Sequence, residues 1–280
     1  MIQAVIDSGS TKADWRVFDQ ESLTAFSTQG LNPYFVSRDE IITIINQQVF
    51  PKLTSQQISR IHFYGAGCGT AVRRKQVADA LNECFPDASI VVDTDLLAAA
   101  RALLKNVPGF TVILGTGTNS GLYDGKQIVR SIDSLGYFLG DEGSGASIGK
   151  KLLRDYLRGY FPPDLQRSFA LICPMNREQV LEQLYSKPSP GSFLGSLAPF
   201  AAENRAHPYL QQLIKESFSE FFLQLITHYE NYQQYPICCA GSVSYIFKDI
   251  LMETANDFGA KIHKFIQSPI DDLVVYHQTY

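Results

Sequence analysis

Two strand–turn–strand stretches built around small residues constrain this chain more than anything else in it. The first is Asp7-Ser8-Gly9-Ser10-Thr11-Lys12-Ala13-Asp14-Trp15, entered from the apolar run Ala4-Val5-Ile6 and left through Trp15-Arg16-Val17-Phe18. The second leaves Thr111-Val112-Ile113-Leu114 through Gly115-Thr116-Gly117-Thr118-Asn119-Ser120, and a further hairpin is marked by Asp124-Gly125. Such a turn can lay backbone N–H groups and hydroxyls around a phosphate, and the carboxylate closing the first strand can hold a hydrated cation. Taken alone, either stretch is equally an ordinary polar turn. Their recurrence predicts a weak internal duplication, carried by pattern and not by residue identity.

The 280 residues are long for one core and favour two domains. In the first, strands alternate with helices. A third strand is expected over 22–28, an amphipathic helix over 39–50 and a strand over 60–64 that runs into Gly65-Ala66-Gly67-Cys68-Gly69. A helix over 70–84, a short strand over 89–92 and an alanine-rich helix over 94–104 follow. Three antiparallel strands followed by β-α-β-α units predict a mixed sheet with helices on its faces. Asn106-Val107-Pro108-Gly109 is a natural joint. The second half turns helical after its hairpins, with helices over 144–157 and 208–229, and loops at 161–163 and 187–191. A strand over 236–240 ends in Gly241-Ser242-Val243-Ser244, and a last strand (261–265) and helix (269–277) close the chain.

Composition removes several function classes. A net charge of −4 gives no nucleic-acid footprint. No apolar run is long enough to span a membrane, and the chain opens directly into a strand without a secretory leader. The cysteines at 68, 84, 173, 238 and 239 form no CxxC, which points to a reduced, cytoplasmic protein without a zinc or iron–sulfur site. Gly65-Ala66-Gly67 does not complete a dinucleotide fingerprint, because the third glycine position falls on Thr70. No GxxxxGK[ST] loop or HExxH helix occurs, and His62, His207, His228, His263 and His277 form no motif and read as structural or surface residues.

Two acidic places stand out. Asp93-Thr94-Asp95 falls where a strand meets a helix, at the carboxyl end of a sheet strand, where open α/β sheets bind ligands. Asp141-Glu142 lies beside the start of another helix. Each also has a plainer reading, the first as a helix N-cap and the second as charge favouring a helix N-terminus.

The order Asp7-Ser8-Gly9-Ser10-Thr11-Lys12, Thr94-Asp95, Gly115-Thr116-Gly117-Thr118-Asn119, Gly140-Asp141-Glu142-Gly143-Ser144 and Ala240-Gly241-Ser242-Val243 resembles the N-acetylglucosamine kinase and BadF/BadG-type ATPase family. That family belongs to the sugar kinase, Hsp70 and actin superfamily, and the resemblance spans essentially the whole chain. It implies an α/β chain of two ribonuclease-H-like (actin-like ATPase) domains, 1–106 and 107–268, around a nucleotide cleft, with a helix over 269–280 packing back on the first. It further implies ATP held by Ser8, Gly9, Ser10, Thr11 and Lys12, by Gly115, Thr116, Gly117 and Thr118, and by Gly241 and Ser242. Asp7 would orient Mg²⁺ through water, and Asp95 would act as general base, with Asp93 as the competing carboxylate. Asn32, Asp95, Gly136 and Asp141 would face the sugar, although Pro33-Tyr34 departs from the kinase pattern. The implied activity is ATP-dependent phosphorylation of an amino sugar, foremost N-acetylglucosamine, with glucosamine and N-acetylmuramic acid as runners-up. An ATPase activator of a redox enzyme and a non-catalytic sugar sensor are the alternatives from other classes. No nucleic-acid or membrane partner is implied, and a homodimer is what the family suggests.

Overall fold

The computed structural model describes residues 1–53 and 57–280. The chain divides into two compact units, Met1–Asn106 with Ser268–Tyr280, and Val107–Gln267.

Unit 1 contains β1 (Gln3–Ser8), β2 (Lys12–Phe18), β3 (Leu23–Gln29), α1 (Arg38–Ile44), β4 (Arg60–Gly65), α2 (Ala71–Cys84), β5 (Ser89–Thr94) and α3 (Asp95–Leu104). Its sheet has the order β3-β2-β1-β4-β5. The first three strands are antiparallel, and β1, β4 and β5 are parallel. A central strand is covered on both faces, which is why Ala4, Val5 and Ile6 are apolar without alternation and fully buried. Trp15, also buried, stacks on Phe26 and donates its indole N–H to Thr28 Oγ1 at 3.1 Å.

Unit 2 contains β6 (Gly109–Leu114), β7 (Thr118–Tyr123), β8 (Ile128–Ser131), α4 (Gly136–Leu139), α5 (Gly145–Leu157), α6 (Pro163–Ile172), α7 (Arg177–Tyr185), α8 (Pro190–Gly195), α9 (Ala198–Glu203) and α10 (Pro208–Gln224). It continues with β9 (Ile237–Ala240), α11 (Ser242–Ile246), α12 (Lys248–Asp257) and β10 (Ile262–Ile266). Its sheet order, β10-β9-β6-β7-β8, is that of unit 1 with each strand replaced by its counterpart. The duplication is therefore one of topology, and the two-sheet ribonuclease-H-like α/β class expected from the sequence is the fold observed. The last helix, α13 (Ile270–Thr279), belongs to unit 1, where it packs on α3, β1 and β2. Separate apolar cores lie under each sheet, and the aromatic residues Phe218, Phe221 and Phe222 of α10 are central to that of unit 2.

Several boundaries differ from those expected. The helix expected over 39–50 is α-helical only to Ile44. It loosens into a π-turn over Ile45–Val49 and a 3₁₀ turn over Phe50–Lys52, where Pro51 cannot continue an α-helical ladder. The helix expected over 208–229 stops at Gln224. Beyond it the buried Tyr229 hydroxyl donates to Ser120 O at 2.9 Å and accepts from Ile132 N at 2.8 Å, holding that residue on the sheet. Pro163 and Pro190 open helices where loops were expected, because a proline at the first helical position forfeits no intrahelical bond. Strand β5 runs on to Thr94, so Asp93 is a strand residue and the N-cap of α3 is Thr94, not a carboxylate.

Candidate active site

In unit 1 the first small-residue turn is a short hairpin closed by the Gly9 N–H to Lys12 O bond at 2.9 Å. It is braced from below. Ser8 is fully buried, and its hydroxyl accepts from Leu31 N at 2.9 Å and donates to Gly9 O at 3.2 Å. Gly30 lies against the turn so closely that a Cβ would sit 2.5 Å from Gly9 O, so only glycine fits there. Asn32, itself buried, donates its amide to Ser10 Oγ at 2.8 Å and accepts from Tyr34 N at 3.0 Å. The predicted residues Ser8, Ser10 and Asn32 thus shape the turn from inside, while Gly9, Thr11 and Lys12 are exposed along it. The Lys12 ammonium is 2.9 Å from Asp14.

Asp7 lies near the end of the hairpin's first strand, between the buried Ile6 and Ser8 and in register with Asp14 on β2 and Tyr64 on β4. Burial pushes its carboxyl up to about 7. The charges of Asp95 and Asp14 push in the same direction, and only Lys12 opposes them. Asp95, half-buried at the start of α3, therefore reaches Asp7 electrically although 88 residues separate them in sequence. One Asp95 oxygen accepts from Leu96 N at 2.8 Å. Asp93 serves a different neighbourhood, because its carboxylate lies 3.6 Å from the Arg101 guanidinium.

In unit 2 the second turn is tighter than the sequence suggested. Only Gly115, Thr116 and Gly117 turn, closed by Gly115 N to Gly117 O at 3.0 Å, and Thr118 already belongs to β7. Thr118 faces inward, donating its N–H to Asp141 Oδ1 at 3.0 Å and its hydroxyl to Glu142 O at 2.7 Å. Asp141 is buried in a left-handed conformation, and desolvation raises its carboxyl above the ordinary range. It fastens the segment 134–145 to the turn. Its own N–H bonds Ser134 O, and Gly145 and Ala146 donate to Gly115 O and Thr116 O at 2.8 and 3.0 Å. Ser144, not Asp141 or Glu142, caps α5. Gly136 is exposed at the start of α4 within the same segment, and Thr116 stands exposed at the tip of the turn.

The third small-residue turn meets the second. Gly241 has φ 112°, and a Cβ there would collide with Leu114 O, so the position admits only glycine. Beside this junction is a cavity of about 270 Å³, walled by Gly115 and Thr116, by Ser242 and Val243 of α11, and by Ala198, Pro199, Ala202 and Glu203 of α9. Ile246 and Phe247 continue from it into a neighbouring cleft of about 510 Å³ lined by Arg205, Tyr245 and Lys248. A mainly apolar slot with a small-residue turn at one end suits a flat base attached to a charged tail. The α9 wall was not anticipated, since Ala198-Pro199-Phe200-Ala201-Ala202 carries no polar signature. The useful signal is the proline opening a helix that presents alanines, which leaves room for a ligand.

No family model matches the chain, and no curated protein matches it in sequence. Solved structures do match. The chain is similar to a crystal structure of a candidate N-acetylglucosamine kinase from Porphyromonas gingivalis, with a TM-score of 0.93 and 35% identity over 99% of this chain and 98% of that one. Two more distant structures share the fold. One is a candidate N-acetylglucosamine kinase from Chromobacterium violaceum (TM-score 0.74, 18% identity, 98% of each chain). The other is a ROK family glucokinase from Streptomyces griseus in complex with glucose and AMPPNP (TM-score 0.58, 15% identity, 99% of this chain and 98% of that one). With more than a third of its residues shared along nearly the full length of the first, the chain belongs to the N-acetylglucosamine kinase and BadF/BadG-type ATPase family, within the sugar kinase, Hsp70 and actin superfamily.

Proposed function

We propose that this ATP-dependent sugar kinase phosphorylates an amino sugar, N-acetylglucosamine first, with Asp95 as general base. The observation that carries the reading is the pairing of Asp7 and Asp95 at the carboxyl edge of the parallel strands of unit 1. There the strand registers align Ser8 with Gly65 and Gly65 with Thr94, which sets both carboxylates at the same sheet edge, and the Asp95 charge adds to the burial that raises Asp7. Two of the similar structures are candidate N-acetylglucosamine kinases, which supports the choice of sugar.

Phosphoryl transfer asks mainly for positioning and charge neutralisation. The donor set fits magnesium, a hard cation that keeps much of its water and needs only one or two protein carboxylates. Asp7 would hold it through water, and when bound the ion would neutralise charge developing on the phosphates. The nucleotide base would occupy the apolar slot of unit 2, with Gly241 and Ser242 beside it. Thr116 and Gly117 would meet the phosphates, and Thr118 would keep that turn in shape from within. Gly9, Thr11 and Lys12 are the exposed groups of the first turn, and Ser8 and Ser10 support it. Asp95 would take the proton of the sugar hydroxyl as its oxygen attacks the γ-phosphorus and the bond to ADP breaks. Asn32, Gly136 and Asp141 would border the sugar.

A coupled ADP-release assay with ATP, Mg²⁺ and a panel of N-acetylglucosamine, glucosamine, N-acetylmannosamine, N-acetylmuramic acid and glucose tests the proposal. Turnover dependent on N-acetylglucosamine, with kcat/KM above that for the other sugars, is expected. Hydrolysis that ignores every sugar would remove the kinase reading, and preference for another member of the panel would replace the substrate.

A further inference from the structure

The cluster around Arg101 in unit 1 is costly to build and has no part in the mechanism above. Arg101 projects from α3 and is mostly buried. It donates from Nη1 to the Tyr64 hydroxyl at 2.7 Å, and that hydroxyl also shares a hydrogen bond with His277 Nε2, 2.8 Å away. The His277 ring stacks on His62 with centroids 3.7 Å apart. The guanidinium also lies over the Tyr64 and Tyr276 rings, and its Nε is buried with no hydrogen-bond partner among the described residues. A packed apolar side chain would fill this place without the desolvation cost of a cation. What the cation does have is Asp93, 3.6 Å from its Nη1.

Asp93 and Asp95 flank Thr94 at the junction of β5 and α3. Both charges act on the same buried thiol, Cys68, so their fields overlap. Two like charges this close in sequence repel unless one of them is compensated by a cation. We propose that Arg101 is a positioning residue for the reaction: its charge holds and neutralises Asp93, leaving Asp95 as the carboxylate that serves the sugar hydroxyl. This rests on the assignment of Asp95 as base in the proposed kinase reaction. Arg101 acts through Asp93 and touches no substrate.

The test is a mutant cycle on the full chain with N-acetylglucosamine and Mg-ATP. Arg101→Met is expected to lower kcat about 10- to 100-fold while both KM values stay within about threefold, because the geometry and charge at the base are disturbed and not the binding. Asp93→Asn alone is expected to stay within about threefold of the unmodified enzyme. The decisive variant is R101M/D93N, which lacks the Arg101–Tyr64 hydrogen bond but also lacks the uncompensated charge. Its kcat is expected to recover to within about fivefold of the unmodified enzyme. A double variant as slow as Arg101→Met means that Arg101 is only a structural strut, and overturns the inference. Arg101→Lys keeps the charge and decides the matter if the methionine variant does not fold. It should retain kcat within about threefold, and a larger loss counts against a charge role. Absence of sugar-dependent turnover in the unmodified protein overturns the kinase reading and this inference together. Turnover there without rescue in the cycle overturns this inference alone.

Discussion

At the scale of single residues, the two acidic side chains of unit 1 separate by environment. Asp95 sits at the first position of α3, within reach of Asp7, whereas Asp93 answers to Arg101. Asp95→Asn should therefore lower kcat by about 10²–10⁴-fold with the sugar KM within about threefold, as for a lost general base. Steady-state kinetics on the purified variant check this, and a near-normal kcat would remove Asp95 from the role. Asp7 makes a second prediction, this time of stability. Its carboxyl is raised from 3.8 to about 7 in the native protein, so the folded state prefers it protonated. The native state then holds more protons than the unfolded one between those values. Its contribution is complete below about pH 4 and is lost as pH rises through 7. Asp7→Asn imitates the protonated group. In metal-free buffer its Tm advantage over the unmodified protein should grow by about 3 °C or more from pH 5 to pH 8. Equal differences at both pH values would mean that the carboxyl is not perturbed.

At the scale of elements, short segments set the chemistry and long ones supply the platform. The cavity of unit 2 depends on α9, whose small residues leave the slot open beside Gly115 and Ser242. Ala202→Phe should fill it, raising the KM for ATP about 10-fold or more while the sugar KM holds, since a pocket discriminates by the volume it leaves. Binding of a fluorescent ATP analogue measures the loss directly, and unchanged affinity would place the base elsewhere. Much of this level was legible in the sequence. Continuous apolar runs marked the strands of both sheets, and Gly241 marked a turn that the backbone uses at close approach. Other features were not legible, for identifiable reasons. Thr118 looks like part of a polar turn because its neighbours are small, but its N–H and hydroxyl are claimed by Asp141 and Glu142, which lie more than twenty residues away. The α9 wall joins Ala198 and Ala202 to Pro199 and Glu203, and its alanines resemble any core stripe. The end of the helix before Tyr229 is set by a tertiary hydrogen bond to β7, which no local pattern encodes.

At the scale of the whole molecule, each unit repeats one sheet order, yet they differ in how the chain supplies them. Unit 2 is contiguous over Val107–Gln267, while unit 1 is assembled from both ends. The piece from the far end is substantial. Helix α13 buries Ile270, Leu273 and Val274, ties Asp271 to Arg16 at 2.7 Å, and supplies His277 to Tyr64. Burying three such side chains stabilises by about 5–9 kcal/mol as an upper bound, comparable with the whole stability of a typical domain. A chain shortened to residues 1–267 should consequently lose the cooperative melting of unit 1. Limited proteolysis should degrade residues 1–106 first and leave a resistant fragment spanning 107–267. Equal resistance of both regions would show that α13 is dispensable. The same feature sets an order of maturation on the ribosome. The half encoded first must wait, short of its final helix, until the half encoded second has already emerged in full. The nascent chain thus carries the sheet of unit 1 in an unfinished form until α13 has been synthesised, after the whole of unit 2.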